Sequence, residues 1–144
     1  MNRQTVVLTA LLVFVVALAG CSRSKPETAV EQAAATIRVT DIQVGRSAGP
    51  DNTLAEVTNR FAPSDTFYVA VRTEGVTPNS TLKARWTYED GQVVDEYMLT
   101  IATTDAASTL LRTEMHDGWP VGEYMVEIFL DGVSAGQMRF VVGE

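Results

Sequence analysis

The sequence is poor in the residues that carry chemistry. Among its 144 residues there is one cysteine, Cys21, and one histidine, His116. A lone cysteine excludes any disulfide within one chain, so packing must hold the folded part together even in an oxidising compartment. A lone histidine excludes a metal site built on several. It also lacks partners for nucleophilic catalysis, because Asp117 adjoins it and neighbours in a strand or turn point apart. His116 reads as a solvated loop residue ahead of the Trp119-Pro120 corner. No Gly-x-Ser-x-Gly elbow, phosphate-binding loop or paired zinc spacing is present. Positive charge is scarce as well: 11 basic residues face 18 acidic ones, for a formal net charge of −7. That balance argues against nucleic acid as a partner and against a polybasic membrane-surface patch. No internal repeat is visible. The expectation from these absences is a chain that is not an enzyme and has no cofactor and no metal.

What is present begins at the N-terminus. Met1-Asn2-Arg3-Gln4 is short, polar and positively charged, and an apolar run from Val6 to Leu18 follows it, broken only by Thr9. Charged segment, apolar segment and small residues, in that order, form the layout of a secretory signal peptide. The run is shorter than the roughly 20 residues a bilayer-spanning helix needs. It also has no polar face along which a helix could meet water.

The run ends in Leu18-Ala19-Gly20-Cys21. This motif resembles the lipobox of bacterial lipoproteins: an aliphatic residue, two small residues and an obligatory cysteine. The resemblance implies removal of residues 1–20, a diacylglyceryl thioether on Cys21 and acylation of the new amino group. Several acyl chains anchor a protein stably where one does so only marginally. Ser22 follows the cysteine, where an Asp would resemble an inner-membrane retention signal. The implied location is therefore the bacterial cell envelope, at the outer membrane facing the periplasm. Residues 21–36, polar and Ala-rich without an apolar stripe, read as the lipidated cysteine and a flexible tether.

From residue 37 to 144 the chain breaks into short β-rich runs separated by turn signals, the pattern of an all-β sandwich. Thr36 to Gly45 is a first strand, and Ser47 to Asn52 a loop. Asp65 to Thr73 puts Phe67, Val69 and Val71 on one face. Ser80 to Glu89 alternates Leu82, Ala84, Trp86 and Tyr88 inward against Lys83, Arg85 and Thr87 outward. Gln92 to Ala102 reads as one bent strand or two. Ser108 to Met115 leaves its faces open, because Leu110 and Leu111 are adjacent. Glu123 to Leu130 turns Tyr124, Val126, Ile128 and Leu130 inward, and Gln137 to Val142 offers Met138, Phe140 and Val142. Between these two, Asp131-Gly132 signals a hairpin. A two-residue loop alone would turn Met138 and Phe140 to the wrong face, and a three-residue loop or a bulge would correct it; a three-residue loop over Asp131, Gly132 and Val133 is expected, with Phe140 beside Tyr124 and Met138 beside Val126.

About seven such strands, with Trp86 on the third and Tyr124 opening the penultimate one after a Pro/Gly corner, resemble an immunoglobulin-like antiparallel β-sandwich. That resemblance implies a buried Trp86 between the sheets and a tyrosine corner at Tyr124. The inter-sheet cysteine pair of antibody domains is absent. The ending Trp119-Pro-x-Gly-x-Tyr-x-Val-x-Ile-x-Leu-Asp-Gly132, closing on Phe-Val-Val, is similar to the C-termini of single-domain bacterial lipoproteins of uncharacterised role. It implies a fold and no activity.

Two surfaces stand out. Met125, Phe129 and Val141 face outward on the last two strands, with Lys83 and Arg85 on the expected adjacent strand, and together they suit a protein partner. Tyr97 and Met98 fit either the core or a second exposed patch. At one pole, Glu89, Asp90, Asp117 and Asp51 could gather oxygens of the kind calcium uses, although none lies in a dedicated calcium loop and exposed turn acids are ordinary. The favoured expectation is a lipid-anchored module binding an envelope protein in the periplasm. The rival is a small-ligand or calcium sensor working through the loops at one pole.

Overall fold

The computed structural model describes residues 36–143. The expected signal peptide, the lipobox with Cys21 and the tether up to Ala35 lie outside the described residues. The strands are β1 (Arg38–Ala48), β2 (Leu54–Val57), β3 (Arg60–Phe61), β4 (Phe67–Glu74), β5 (Thr77–Tyr88), β6 (Gln92–Thr103), β7 (Ala107–Thr113), β8 (Gly122–Leu130) and β9 (Val133–Val142), with a short 3-10 turn, Pro50–Asn52, between β1 and β2. They form a four-stranded sheet, β2-β1-β4-β7, and a five-stranded sheet, β3-β9-β8-β5-β6. All pairs are antiparallel except β3 with β9, which run parallel. The chain is an immunoglobulin-like β-sandwich, with two short strands, β2 and β3, beyond those its sequence announces.

Period-two alternation builds the core. Phe67, Val69 and Val71 on β4, Leu82, Ala84 and Trp86 on β5, and Tyr124, Val126 and Ile128 on β8 are all buried between the sheets. Each large apolar side chain so placed contributes roughly 1.5–3 kcal/mol relative to exposure. Trp86 is 1% exposed. The ambiguity of β7 resolves with Leu111 buried and Leu110 on the outer side. Thr87 points outward as expected but is nevertheless buried, its hydroxyl reaching the Met125 carbonyl at 3.4 Å.

The β8–β9 hairpin corrects one expectation. Leu130 pairs with Val133, so the loop is the two residues Asp131 and Gly132 and not three. Both have positive φ, 50° and 81°, as a type I′ turn requires. The parity is rescued further along. Phe129 pairs with Ser134 and Ile128 with Gly136, which leaves Ala135 as an extra residue in a β-bulge. Beyond it Met138 pairs with Val126 and Phe140 with Tyr124, the neighbours expected from their hydrophobic pattern.

One end of the core is aromatic. Phe67 stacks on Trp119 with ring centroids 4.2 Å apart, and meets Phe61, Tyr124 and Phe140 edge-on. The polar tips of these rings are satisfied: Trp119 Nε1 donates to the Asp65 carbonyl at 2.9 Å and the Tyr124 hydroxyl donates to the Pro120 carbonyl at 2.9 Å. The second bond, four residues back along the chain, is the geometry of a tyrosine corner. Burial, and then the neighbouring Tyr88 and Glu89, push the Tyr124 hydroxyl up to about 12.

Candidate functional site

The outer face of the five-stranded sheet is organised by β5, which lies between β8 and β6. Lys83 sits opposite Phe129 on β8 and Met98 on β6, while Arg85 sits opposite Glu127 and Glu96. Alternation turns all six of these side chains to the same side. The two cations converge on one ring: Lys83 Nζ is 4.6 Å from the Phe129 ring centroid and Arg85 Cζ is 5.0 Å from it. Both also reach Glu96 Oε1, Arg85 Nε at 2.6 Å and Lys83 Nζ at 3.6 Å. The hydrogen bond from Arg85, reinforced by the charge of Lys83, holds the Glu96 carboxyl below its ordinary range. Glu127 is oriented from the other side, accepting the Ser134 hydroxyl at 2.6 Å.

This arrangement changes what Phe129 can offer. The ring is half-buried beneath two cations, so it serves as a platform that fixes their positions and not as a bare apolar anchor. Fixed cations suit charge-complementary contact with a carboxylate-bearing partner, because less side-chain freedom is lost on binding.

The five residues singled out in sequence do not form one patch. Lys83, Arg85 and Phe129 are in mutual contact. Met125 faces the same side but lies opposite Thr87, with the Glu127 row between it and Phe129. Val141, 45% exposed, pairs with Glu123, six residues along β8 from Phe129, a distance of about 20 Å at strand rise. It borders instead a shallow hollow of about 490 Å³ beside Arg46, Asn59 and Arg60. The charge of Arg46 is already engaged there, with its Nε 3.1 Å from Glu56 and its Nη2 donating to the Arg60 carbonyl at 2.9 Å.

Sequence alone did not bring Glu96 and Met98 to this face. Simple subtraction across the β5–β6 turn pairs Arg85 with Asp95 and Lys83 with Tyr97. A bulge between the Thr87–Val93 and Trp86–Asp95 pairs shifts the register by one, so Glu96 and Met98 take those places. Asp95 turns inward and accepts the Thr113 hydroxyl. Met98 is 64% exposed and Tyr97 49% exposed, so both belong to the surface.

The acidic residues of the loops lie in three different segments. Glu89 and Asp90 lie in the β5–β6 turn, Asp117 in the β7–β8 loop and Asp51 in the 3-10 turn. Among the described residues no group of three or more His, Cys, Asp or Glu is close enough to hold a metal ion. His116 is exposed in the β7–β8 loop.

No protein-family model matches the chain, and no curated protein matches it. Solved structures resemble it. An immunoglobulin-like protein from Pseudomonas aeruginosa is 17% identical with a TM-score of 0.53, over 77% of this chain and 99% of that one. The alkylpurine DNA glycosylase AlkC from Pseudomonas fluorescens, solved bound to DNA containing an abasic site analog, is 10% identical with a TM-score of 0.52. That match covers 75% of this chain, which spans only 30% of the glycosylase. At such identities the likeness is one of fold alone.

Proposed function

We propose that this chain is a non-enzymatic lipoprotein of the bacterial envelope, anchored through Cys21 to the outer membrane, and that its immunoglobulin-like domain binds an envelope protein in the periplasm. The leader and the Leu18-Ala19-Gly20-Cys21 motif support the anchor. The observation that carries the binding half is the Lys83–Arg85–Phe129–Glu96 cluster: two cations held on an aromatic platform, on a flat sheet face, in a chain of formal net charge −7. A surface acidic overall repels acidic partners except where cations are fixed in place, so this cluster would select both the partner and its orientation.

One experiment tests both halves. Tagged full-length protein is extracted from membranes, alongside Cys21→Ser and a Lys83→Glu/Arg85→Glu double variant. The expected result is one recurrent envelope protein with the wild type, loss of that protein with the double variant while the melting temperature holds, and no membrane recovery of Cys21→Ser. Equal recovery of the same protein with the double variant would reject the face, and membrane-bound Cys21→Ser would reject the anchor.

A further inference from the structure

The edge strand β6 carries a feature that the proposed binding face leaves unused. Sheet edges present unpaired N–H and C=O groups, and proteins usually blunt them with bulges, Pro, Lys or inward charges. Here the blunting is confined to the ends of the strand. One bulge lies beside Asp95, and a second register shift separates the Thr77–Thr103 and Ser80–Ile101 pairs. Between them Glu96 to Ile101 pairs residue for residue with Arg85 to Ser80. That segment, Glu96-Tyr-Met-Leu-Thr-Ile101, contains no Pro and no Lys, and its only charge is turned onto Arg85. Tyr97 and Met98 stand exposed on opposite sides of it.

The backbone is available as well. The Glu96 N–H donates to Asp95 Oδ1 at 2.8 Å and so points away from β5. In an extended strand the groups two and four residues on point the same way, which turns Met98 and Thr100 outward. Among the described residues no group outside β5 bonds to the backbone of Tyr97 to Ile101. The other edges are poorer templates: β3 has two residues, β2 has four in an irregular register, and the 3-10 turn lies against β7, where the Ser108 hydroxyl donates to the Asn52 carbonyl at 2.7 Å.

We propose that β6 is the docking edge for a second copy of this chain, the two Glu96–Ile101 segments pairing antiparallel about a two-fold axis through Met98. The segment is self-complementary, which suits a second copy: about this axis the exposed Met98 side chains cover one another, and the distribution of charge selects the register. The acidic residues lie at one end of the segment and neutral residues at the other. Pairing about Met98 sets Glu96 against Thr100, Asp95 against Ile101 and Tyr97 against Leu99, with no like charges opposed. A parallel pairing in register would set Asp95 and Glu96 beside their own copies, which is destabilising. A two-fold axis normal to the sheet keeps inner faces on the same side, so Tyr97 of one copy covers Leu99 of the other. The result is a closed dimer with one continuous sheet.

Cysteine substitution reads out the register directly. At the axis the two Met98 Cα atoms would lie about 5.5 Å apart, within disulfide range, whereas two Thr100 residues would be separated by about four strand residues. Full-length Met98→Cys, Thr100→Cys, Val133→Cys (an exposed control) and the wild type, whose only cysteine is Cys21, are expressed and whole cells are treated with a membrane-permeant thiol oxidant. The expected result is a reducible band of twice the monomer mass with Met98→Cys and its loss in the other three. Adding Thr100→Pro to Met98→Cys removes an outward N–H, which an edge strand tolerates, and should abolish the band while the melting temperature holds. Absence of the Met98→Cys dimer, equal dimer at Thr100 or Val133, cross-linking of Met98→Cys to a different protein in place of itself, or survival of the band with Thr100→Pro would each overturn the proposal. None of these outcomes depends on the cations of the neighbouring face, so failure here leaves the binding-face reading standing.

Discussion

At the scale of single residues, two aromatic side chains test the core. Trp86 fills the middle of the sandwich with 1% of its surface exposed. Trp86→Ala should cost about 3–5 kcal/mol by removing a large ring that its surroundings cannot fully replace, a loss visible in denaturant unfolding. Tyr124 tests the corner. Its hydroxyl donates to the Pro120 carbonyl, so Tyr124→Phe should cost about 1 kcal/mol at neutral pH and leave that carbonyl without its partner. The pH dependence follows from the sign of the shift. The folded value lies near 12 against an ordinary 10.0, so the protonated form is favoured by folding. Its contribution is complete below pH 10.0 and is lost as the pH rises toward 12. An absorbance titration should therefore contain a tyrosine step near 12, and Tyr124→Phe should remove that step and flatten the loss of stability over the same interval.

At the scale of elements, the β8–β9 hairpin carries the sharpest expectation. Ala135 is exposed and makes no hydrogen bond through its side chain, yet its presence as an extra residue turns Met138, Phe140 and Val142 toward the core. Deleting it while keeping the Asp131-Gly132 turn would rotate all three outward and put Arg139 and Val141 inside. Ala135 deletion should therefore abolish cooperative thermal unfolding monitored by circular dichroism, whereas Ala135→Ser should leave it nearly unchanged. A deletion variant that still unfolds cooperatively would contradict this account of the bulge.

The same hairpin shows how far the sequence can be read. Strands with strict alternation, such as Phe67-Val69-Val71 and Tyr124-Val126-Ile128, declare their faces because burial on one side imposes period two. The need for one extra residue between β8 and β9 was legible from the hydrophobic parity, but its position was not, because a longer loop and a bulge satisfy parity equally. β2 and β3 went unannounced: Leu54-Ala-Glu-Val57 and Arg60-Phe61 are too short to establish a period. For the site, Lys83, Arg85 and Phe129 could be brought together from the neighbouring positions their strands occupy in an immunoglobulin-like sheet. Glu96 and Met98 could not, because the bulge beside Asp95 is held by tertiary contacts, among them the bond from Thr113, that leave no local signal.

At the scale of the molecule, the outer side of the five-stranded sheet is the surface on which the cluster sits. It presents a fixed pair of cations over Phe129 on a chain of formal net charge −7, and the proposed lipid anchor at Cys21 would present that face repeatedly to the same neighbours. The central claim is that this face has a specific protein partner. The most direct measurement is photo-cross-linking in cells from a reactive amino acid placed at Lys83 or Phe129, compared with Tyr68 on the outer side of the opposite sheet, followed by mass spectrometry of the products. One recurrent envelope protein is expected from Lys83 and from an aromatic probe at Phe129, absent from Tyr68, and lost from both when Arg85→Glu reverses a cation of the cluster in a folded protein. The same products from all three positions, or none from Lys83 and Phe129, would contradict the claim.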